Sequence, residues 1–315
     1  MVALASEPLP VPPARRSSAD LLAFVAVCLI WGTTWFAITL QLKPEAGTGV
    51  TAAPLVSVVY RFGLAAALLF GWCLITRRSL VLSSRQHLTT FGQGAFVFGI
   101  NYAFVYMSEA RIASAVTAVL FAGLAFVNLV LFRVVLRQRA PISSWAAACL
   151  GLAGVAVVSW AELQRAHMDS RAAAGLGFAA IAVLGAAIGN LFSFRSHEER
   201  TDLVASTAWA MMYGAALLAV VVIVTGQPWR FLLTPSYVGS LAYLSVFGSV
   251  AAFLLYFGLA RSRGWTFASY ISAVTPILAM GVSSLLEGER WGLSGLVGIA
   301  LVVSGQLLLG RGRRL

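Results

Sequence analysis

The chain has 315 residues, 60% of them hydrophobic and only 10% charged, and its mean hydropathy is +0.88. Soluble domains are about half apolar and a quarter charged, so this composition excludes an ordinary soluble fold and points to lipid as the solvent. The formal net charge of +11 does not mark a nucleic-acid binder, because the basic residues sit singly and in pairs at the ends of apolar stretches and form no face or stripe.

In chain order, residues 1–19 come first. They hold Pro8, Pro10, Pro12 and Pro13 with Arg15 and Arg16, and no apolar run. They read as a disordered cytoplasmic tail and not as a cleaved signal peptide, since the apolar segment that follows is full-length with no small-residue cleavage site. A helix needs about 20 apolar residues to span a bilayer. Ten such segments follow: 20–41, 53–76, 89–108, 112–136, 142–161, 173–195, 203–225, 236–260, 266–286 and 292–310. The connections are too short to fold as soluble domains. The fold class expected is therefore an all-α membrane protein of ten transmembrane helices.

Loop charge sets the orientation, because cytoplasmic loops carry the excess of Lys and Arg. With the N-terminus inside, 15 basic residues fall on the cytoplasmic side: Arg15, Arg16, Arg77, Arg78, Arg85, Arg133, Arg137, Arg139, Arg195, Arg200, Arg261, Arg263, Arg311, Arg313 and Arg314. Six fall on the other: Lys43, Arg111, Arg165, Arg171, Arg230 and Arg290. The asymmetry predicts a multi-pass protein of the cell membrane with both termini cytoplasmic. Cys28, Cys73 and Cys149 lie in apolar segments without a C-x-x-C spacing and read as small buried hydrophobes. No metal site and no cofactor are expected.

The sequence also repeats itself. Residues 97–104, Val-Phe-Gly-Ile-Asn-Tyr-Ala-Phe, read like 246–253, Val-Phe-Gly-Ser-Val-Ala-Ala-Phe, at an offset of about 150. Arg61-Phe62-Gly63-Leu64-Ala65-Ala66 falls against Met212-Tyr213-Gly214-Ala215-Ala216, and Gly154 against Gly305. The offset separates two units of five helices, 20–161 and 173–310. Five is odd, so the second unit enters the membrane from the opposite side. Inverted repeats of this kind recur in secondary transporters, where two similar halves alternate access to a central site.

Three stretches carry a family resemblance. Leu29-Ile30-Trp31-Gly32-Thr33-Thr34-Trp35-Phe36 opens helix 1; Tyr60-Arg61-Phe62 lies in helix 2; Ala268-Ser269-Tyr270-Ile271-Ser272-Ala273-Val274-Thr275-Pro276 precedes Leu286-Glu287-Gly288-Glu289-Arg290. In order and spacing they resemble the EamA family of the drug/metabolite transporter superfamily over roughly residues 21–310. The resemblance implies a carrier of small metabolites, often an exporter of amino acids or related compounds, with helices 1, 3, 4, 6, 8 and 9 around a central cavity and helices 5 and 10 outside it. It also implies a proline in helix 4, where this chain has Leu124 or Ala125, so helix 4 is expected to be straighter than helix 9 with its Pro276.

Polar side chains at membrane depth are costly and usually face a cavity or a partner. Asn101, Tyr102 and Asn190 are the leading substrate-binding residues, with Trp31, Thr34, Tyr256 and Tyr270 beside them; each amide can instead bridge two helices. Asn128 carries the same ambiguity, and Gln93 and Gln306 read as interfacial. Arg61 is the formal charge well inside a helix. It either meets an anionic group of the substrate or packs against carbonyls and a neighbouring hydroxyl. Pro276 is a hinge or a static kink. No Asp, Glu or His falls at mid-membrane, which favours facilitated transport or exchange, Glu109 at the end of helix 3 being the nearest exception.

There is no H-E-x-x-H, no G-x-S-x-G and no pair of mid-membrane aspartates, so an intramembrane enzyme has no support. The partners expected are the lipid bilayer and a small-molecule substrate, with the oligomeric state unassigned. The function expected is a secondary carrier exporting amino acids or related compounds; the alternatives are a multidrug or purine/nucleoside carrier of the same fold, or a membrane assembly protein.

Overall fold

A computed structural model describes residues 18–45, 47, 49–137, 141–167, 169–264, 268 and 270–311. Most of the expected N-terminal tail lies outside them, as do Arg15, Arg16, Arg139, Arg313 and Arg314 of the charge pattern. The described residues are helical and contain no strand. In chain order they form α1 (Ser18–Leu42), α2 (Pro54–Ile75), α3 (residues 84–109), α4 (Ser114–Val135), α5 (Ile142–Arg165), α6 (Ser170–Glu198), α7 (Leu203–Val224), α8 (Pro235–Arg263), α9 (Ile271–Leu286) and α10 (Leu293–Arg311).

Seven of these, α1, α2 and α4–α8, are long and apolar enough to cross a membrane. The remaining three helices are not among them. In α3, Arg85, His87, Gln93 and Asn101 dilute the apolar run; α9, at 16 residues, is shorter than a full span, and the described side chains of α10 cover only Leu293–Leu308. Large apolar side chains stand exposed around the bundle, among them Leu68, Trp72, Leu184, Phe247, Ile277 and Leu296. An outer surface of that kind suits acyl chains and not water. The molecule is a multi-pass membrane protein.

Local chemistry starts the helices. Pro54 and Pro235 occupy first-turn positions, where a missing N–H costs nothing. Ser83 and Gln86 form a capping box at the start of α3. The Asp202 carboxylate accepts from the Val204 and Ala205 amides at the start of α7 and pairs with Arg78. Arg85–Glu199 and Arg263–Asp20 lie with it at one end of the bundle, joining the end of α2 and the starts of α1, α3 and α7 to the ends of α6 and α8. Arg165–Glu289 and the Ser114–Glu287 hydrogen bond tie the opposite end.

Two helices depart from α geometry at matching places. α3 is wound as a π-helix over Gly94–Asn101, and α8 over Leu244–Ala251. Both segments overlap the stretches that repeat in the sequence. α3 is held there by close backbone contact: a Cβ on Gly214 of α7 would stand 2.8 Å from the Gly94 carbonyl oxygen.

α4 is not continuous, although it lacks a proline. It is interrupted at Ala122–Gly123, where the Phe126 amide donates to Gly123 and not to Ala122. The carbonyl of Ala122 is thereby released from the helix and accepts instead from Nε2 of Gln306 at 2.8 Å. Gln306 is buried and not interfacial; a broken helix inside a membrane protein needs such a donor from a neighbour. Gln93 is buried as well. Cys28 and Cys73 are buried as expected, but Cys149 is exposed on α5.

α5 and α10 pack on each other through small residues. A Cβ on Gly154 would lie 2.5 Å from the Gly298 carbonyl oxygen, and one on Gly305 2.8 Å from that of Ala147. The atoms met are backbone and cannot swing aside. Gly154→Leu should therefore separate the two helices and destabilise the protein by about 3 kcal/mol; its thermal midpoint in detergent would fall sharply, and an unchanged midpoint would refute this packing.

Candidate functional site

The helices enclose a cavity of about 110 Å3. Its wall comes from α1 (Trp31, Thr34, Trp35), α3 (Asn101, Tyr102, Val105), α4 (Ala118, Phe121, Asn128), α6 (Ala186, Asn190), α8 (Phe253, Tyr256) and α9 (Ile271, Ser272, Thr275, Pro276). These are the six helices that the family resemblance assigns to the cavity. Among the described residues, no lining side chain is charged.

Aromatic rings make one part of the wall. Trp31 stands against Phe253 and Tyr256 with ring centroids 5.2 and 5.1 Å apart, and Trp35 lies 5.5 Å from Phe121. The indole N–H of Trp31 donates to the Gly248 carbonyl in the π segment of α8 at 3.3 Å, which fixes the ring. The indole N–H of Trp35 is buried and meets no acceptor among the described residues.

Three amides make another part. Asn190 Nδ2 donates to Asn128 Oδ1 at 3.4 Å, joining α6 to α4. Asn101, the last residue of the π segment of α3, donates from Nδ2 to its own Val97 carbonyl at 3.0 Å, and its Oδ1 has no donor among the described residues. Asn101 Oδ1 and the Trp35 indole N–H thus lie without a partner at residues that line the cavity, both covered by neighbouring atoms. A buried polar atom without a partner is expensive, so both would gain from a solute that reached them with one donor and one acceptor.

Of the residues expected to bind substrate, Trp31, Thr34, Asn101, Tyr102, Asn190 and Tyr256 line this cavity, and so does Pro276. Tyr270 does not: it directly precedes the first turn of α9 and is not part of the wall. Phe253, Phe121, Thr275 and Trp35 are lining residues outside the expected set. Phe253 had a signal in the sequence, since it closes the repeated stretch that Phe104 closes in the first half.

Arg61 lies behind the wall. It is fully buried; its Nε donates to Ser249 Oγ at 2.9 Å and its Nη2 to the Gly248 carbonyl at 3.4 Å. The guanidinium covers the Tyr102 ring at 4.6 Å and the Phe62 ring at 5.1 Å. Of its two readings, the structure supports packing against a carbonyl and a hydroxyl: Arg61 holds α2 to the π segment of α8 and backs Tyr102.

The chain belongs to the EamA-like transporter family, whose model matches it twice, over residues 18–160 and 173–311. It is similar to Uncharacterized transporter sll0355 of Synechocystis sp., with 34% identity over 122 residues, 38% of this chain and 36% of that one; the match thus spans about a third of that relative. Protein PagO of Salmonella typhimurium is 23% identical over 278 residues, covering 87% of this chain and 86% of PagO. A solved crystal structure matches with a TM-score of 0.67 at 20% identity, covering 95% of this chain and 100% of its own, which establishes likeness of fold.

Proposed function

We propose that this protein is a secondary carrier that moves small metabolites, amino acids or related compounds, out of the cell by alternating access. The observation that carries the proposal is the cavity between the helices, lined by aromatic residues of α1, α4 and α8 and by asparagines of α3, α4 and α6. In this reading all ten helices span the cell membrane, as two five-helix repeats of inverted topology, with both termini cytoplasmic. The loop charges support that orientation, and the paired π segments and the twofold family match support the repeat. α3, the most polar of the ten, spans in company: its polar residues face the cavity or its neighbours and not lipid.

A second reading has an observation in its favour. A zwitterion brings two charges, and among the described residues no charged side chain lines the cavity to meet them. A neutral ring-bearing solute of purine type needs only a stacking surface and an amide, both of which are present.

The test is counterflow. Purified protein in liposomes loaded with unlabelled solute should concentrate the labelled solute transiently, and uptake should saturate. A panel of neutral amino acids, purine bases and nucleosides separates the two readings. Linear flux without counterflow across the panel would refute a carrier.

A further inference from the structure

One carboxylate at a helix end, the nearest exception among the acidic residues of the sequence, is buried. Glu109, the last residue of α3, is buried at 7% exposure, and neither of its carboxylate oxygens has a hydrogen-bond partner among the described residues. The other acidic residues at this end of the bundle are engaged. Glu287 accepts from Ser114, and Glu162 and Glu289 both pair with Arg165.

Glu109 continues a buried polar strip that starts at the cavity. Tyr102, Tyr106 and Glu109 lie four and three residues apart, on one face of α3. Tyr102 lines the cavity and stacks under Arg61; the Tyr106 hydroxyl donates to Gln41 Oε1 of α1 at 2.7 Å. The charges facing Glu109 are the Glu287 carboxylate beyond α9 and the Arg61 guanidinium of α2. The side chains that α1 and α4 bring to this turn of α3 are neutral: Gln41 on Tyr106 and Thr117 on Ser108, the latter at 3.1 Å. Two further cations nearby are committed to backbone: Arg111 donates to the Met107 carbonyl and, from α6, Arg171 to that of Ala110.

We infer that Glu109 is a proton-binding site that couples the carrier to proton movement. The inference rests on the carrier reading for the coupling, but not for the binding of the proton itself. The step is one protonation: a hydronium ion gives its proton to a carboxylate oxygen, water is left, and the site loses one negative charge. An ionised carboxylate sealed from water costs several kcal/mol, so its charge depends on whether the surrounding helices open it to solvent. Alternating access changes that opening in each cycle, and Arg61 carries any change of charge at Glu109 to the ring of Tyr102 in the cavity wall.

The test has two arms. In the first, infrared difference spectra of the full protein in liposomes are recorded between about pH 5 and 9, a range that brackets buried carboxyl groups. A carboxylic-acid carbonyl band should change with pH in the wild type and be missing in Glu109→Gln; a band identical in both, or none in the wild type, overturns the site. In the second, labelled phenylalanine and labelled adenine are the probes. An imposed pH gradient should drive accumulation by the wild type, and Glu109→Gln should lose at least tenfold of that accumulation while still giving counterflow at a reduced rate. Full pH-driven accumulation by the variant overturns the coupling. A titrating band with no counterflow by the wild type refutes the carrier reading and leaves the proton site standing. Should the glutamine variant fail to fold, Glu109→Asp replaces it: the ionisable group is kept one carbon shorter, a shifted pH profile is expected, and an unshifted one overturns the proposal.

Discussion

Exchange of a labelled neutral solute should fall by about two orders of magnitude when Asn101 and Asn190 are both replaced by leucine, with the protein still monodisperse in detergent. The estimate follows from the chemistry of the wall. Each buried polar partner withdrawn from a solute costs about 1–3 kcal/mol, and each 1.4 kcal/mol is about tenfold. Asn101 binds only its own helix through Nδ2, so its loss leaves the packing between helices intact. Asn190→Leu also strips Asn128 of its donor, so Asn128→Leu in the same background should add little. Exchange within twofold of wild type in the double variant would remove the amides from the site.

Arg61→Leu should act in the opposite sense, on the fold and not on recognition. The change withdraws two donors from the π segment of α8, exposes the faces of Tyr102 and Phe62, and leaves space where the guanidinium was. Together these should cost about 3 kcal/mol or more, read as a lower thermal midpoint and a smaller monodisperse fraction. Arg61→Lys should recover only part of the loss. An ammonium is a point donor and cannot serve Ser249 and Gly248 while stacking flat on a ring. A leucine variant with wild-type stability and no transport would make Arg61 a solute contact after all.

The long apolar helices were plain in the sequence, because twenty apolar residues with few charges have one common physical explanation. α3 was the least legible: His87, Gln93 and Asn101 interrupt its run, and a π winding shifts the register on which face arguments rest. Even so, the repeat was read from the two stretches that carry the π segments. The break in α4 had no proline to announce it. It depends on a partner distant in sequence, the Gln306 amide, and local pattern does not show such a donor. The site was legible where polarity was anomalous, as at Asn101 and Asn190. It was not where an apolar residue such as Phe121 lines a cavity in the same way that it would fill a core. Tyr270 shows the limit of counting along a helix, since α9 begins one residue after it. Glu109 was singled out as the nearest exception among the carboxylates, but its position at a helix end did not show how deeply it is buried.

The two π segments bear on the history of the chain. A π turn accommodates an additional residue within an α-helix, and such an insertion is difficult to acquire in a packed helix without a compensating gain. Here it is found at residues 94–101 and again at 244–251, at equivalent points of two stretches that match the same family model. The simplest ancestry is a single insertion that preceded the gene duplication. The ancestral half-length protein, on this view, already carried its widened third helix, and two copies of it would have had to assemble to enclose a cavity at all.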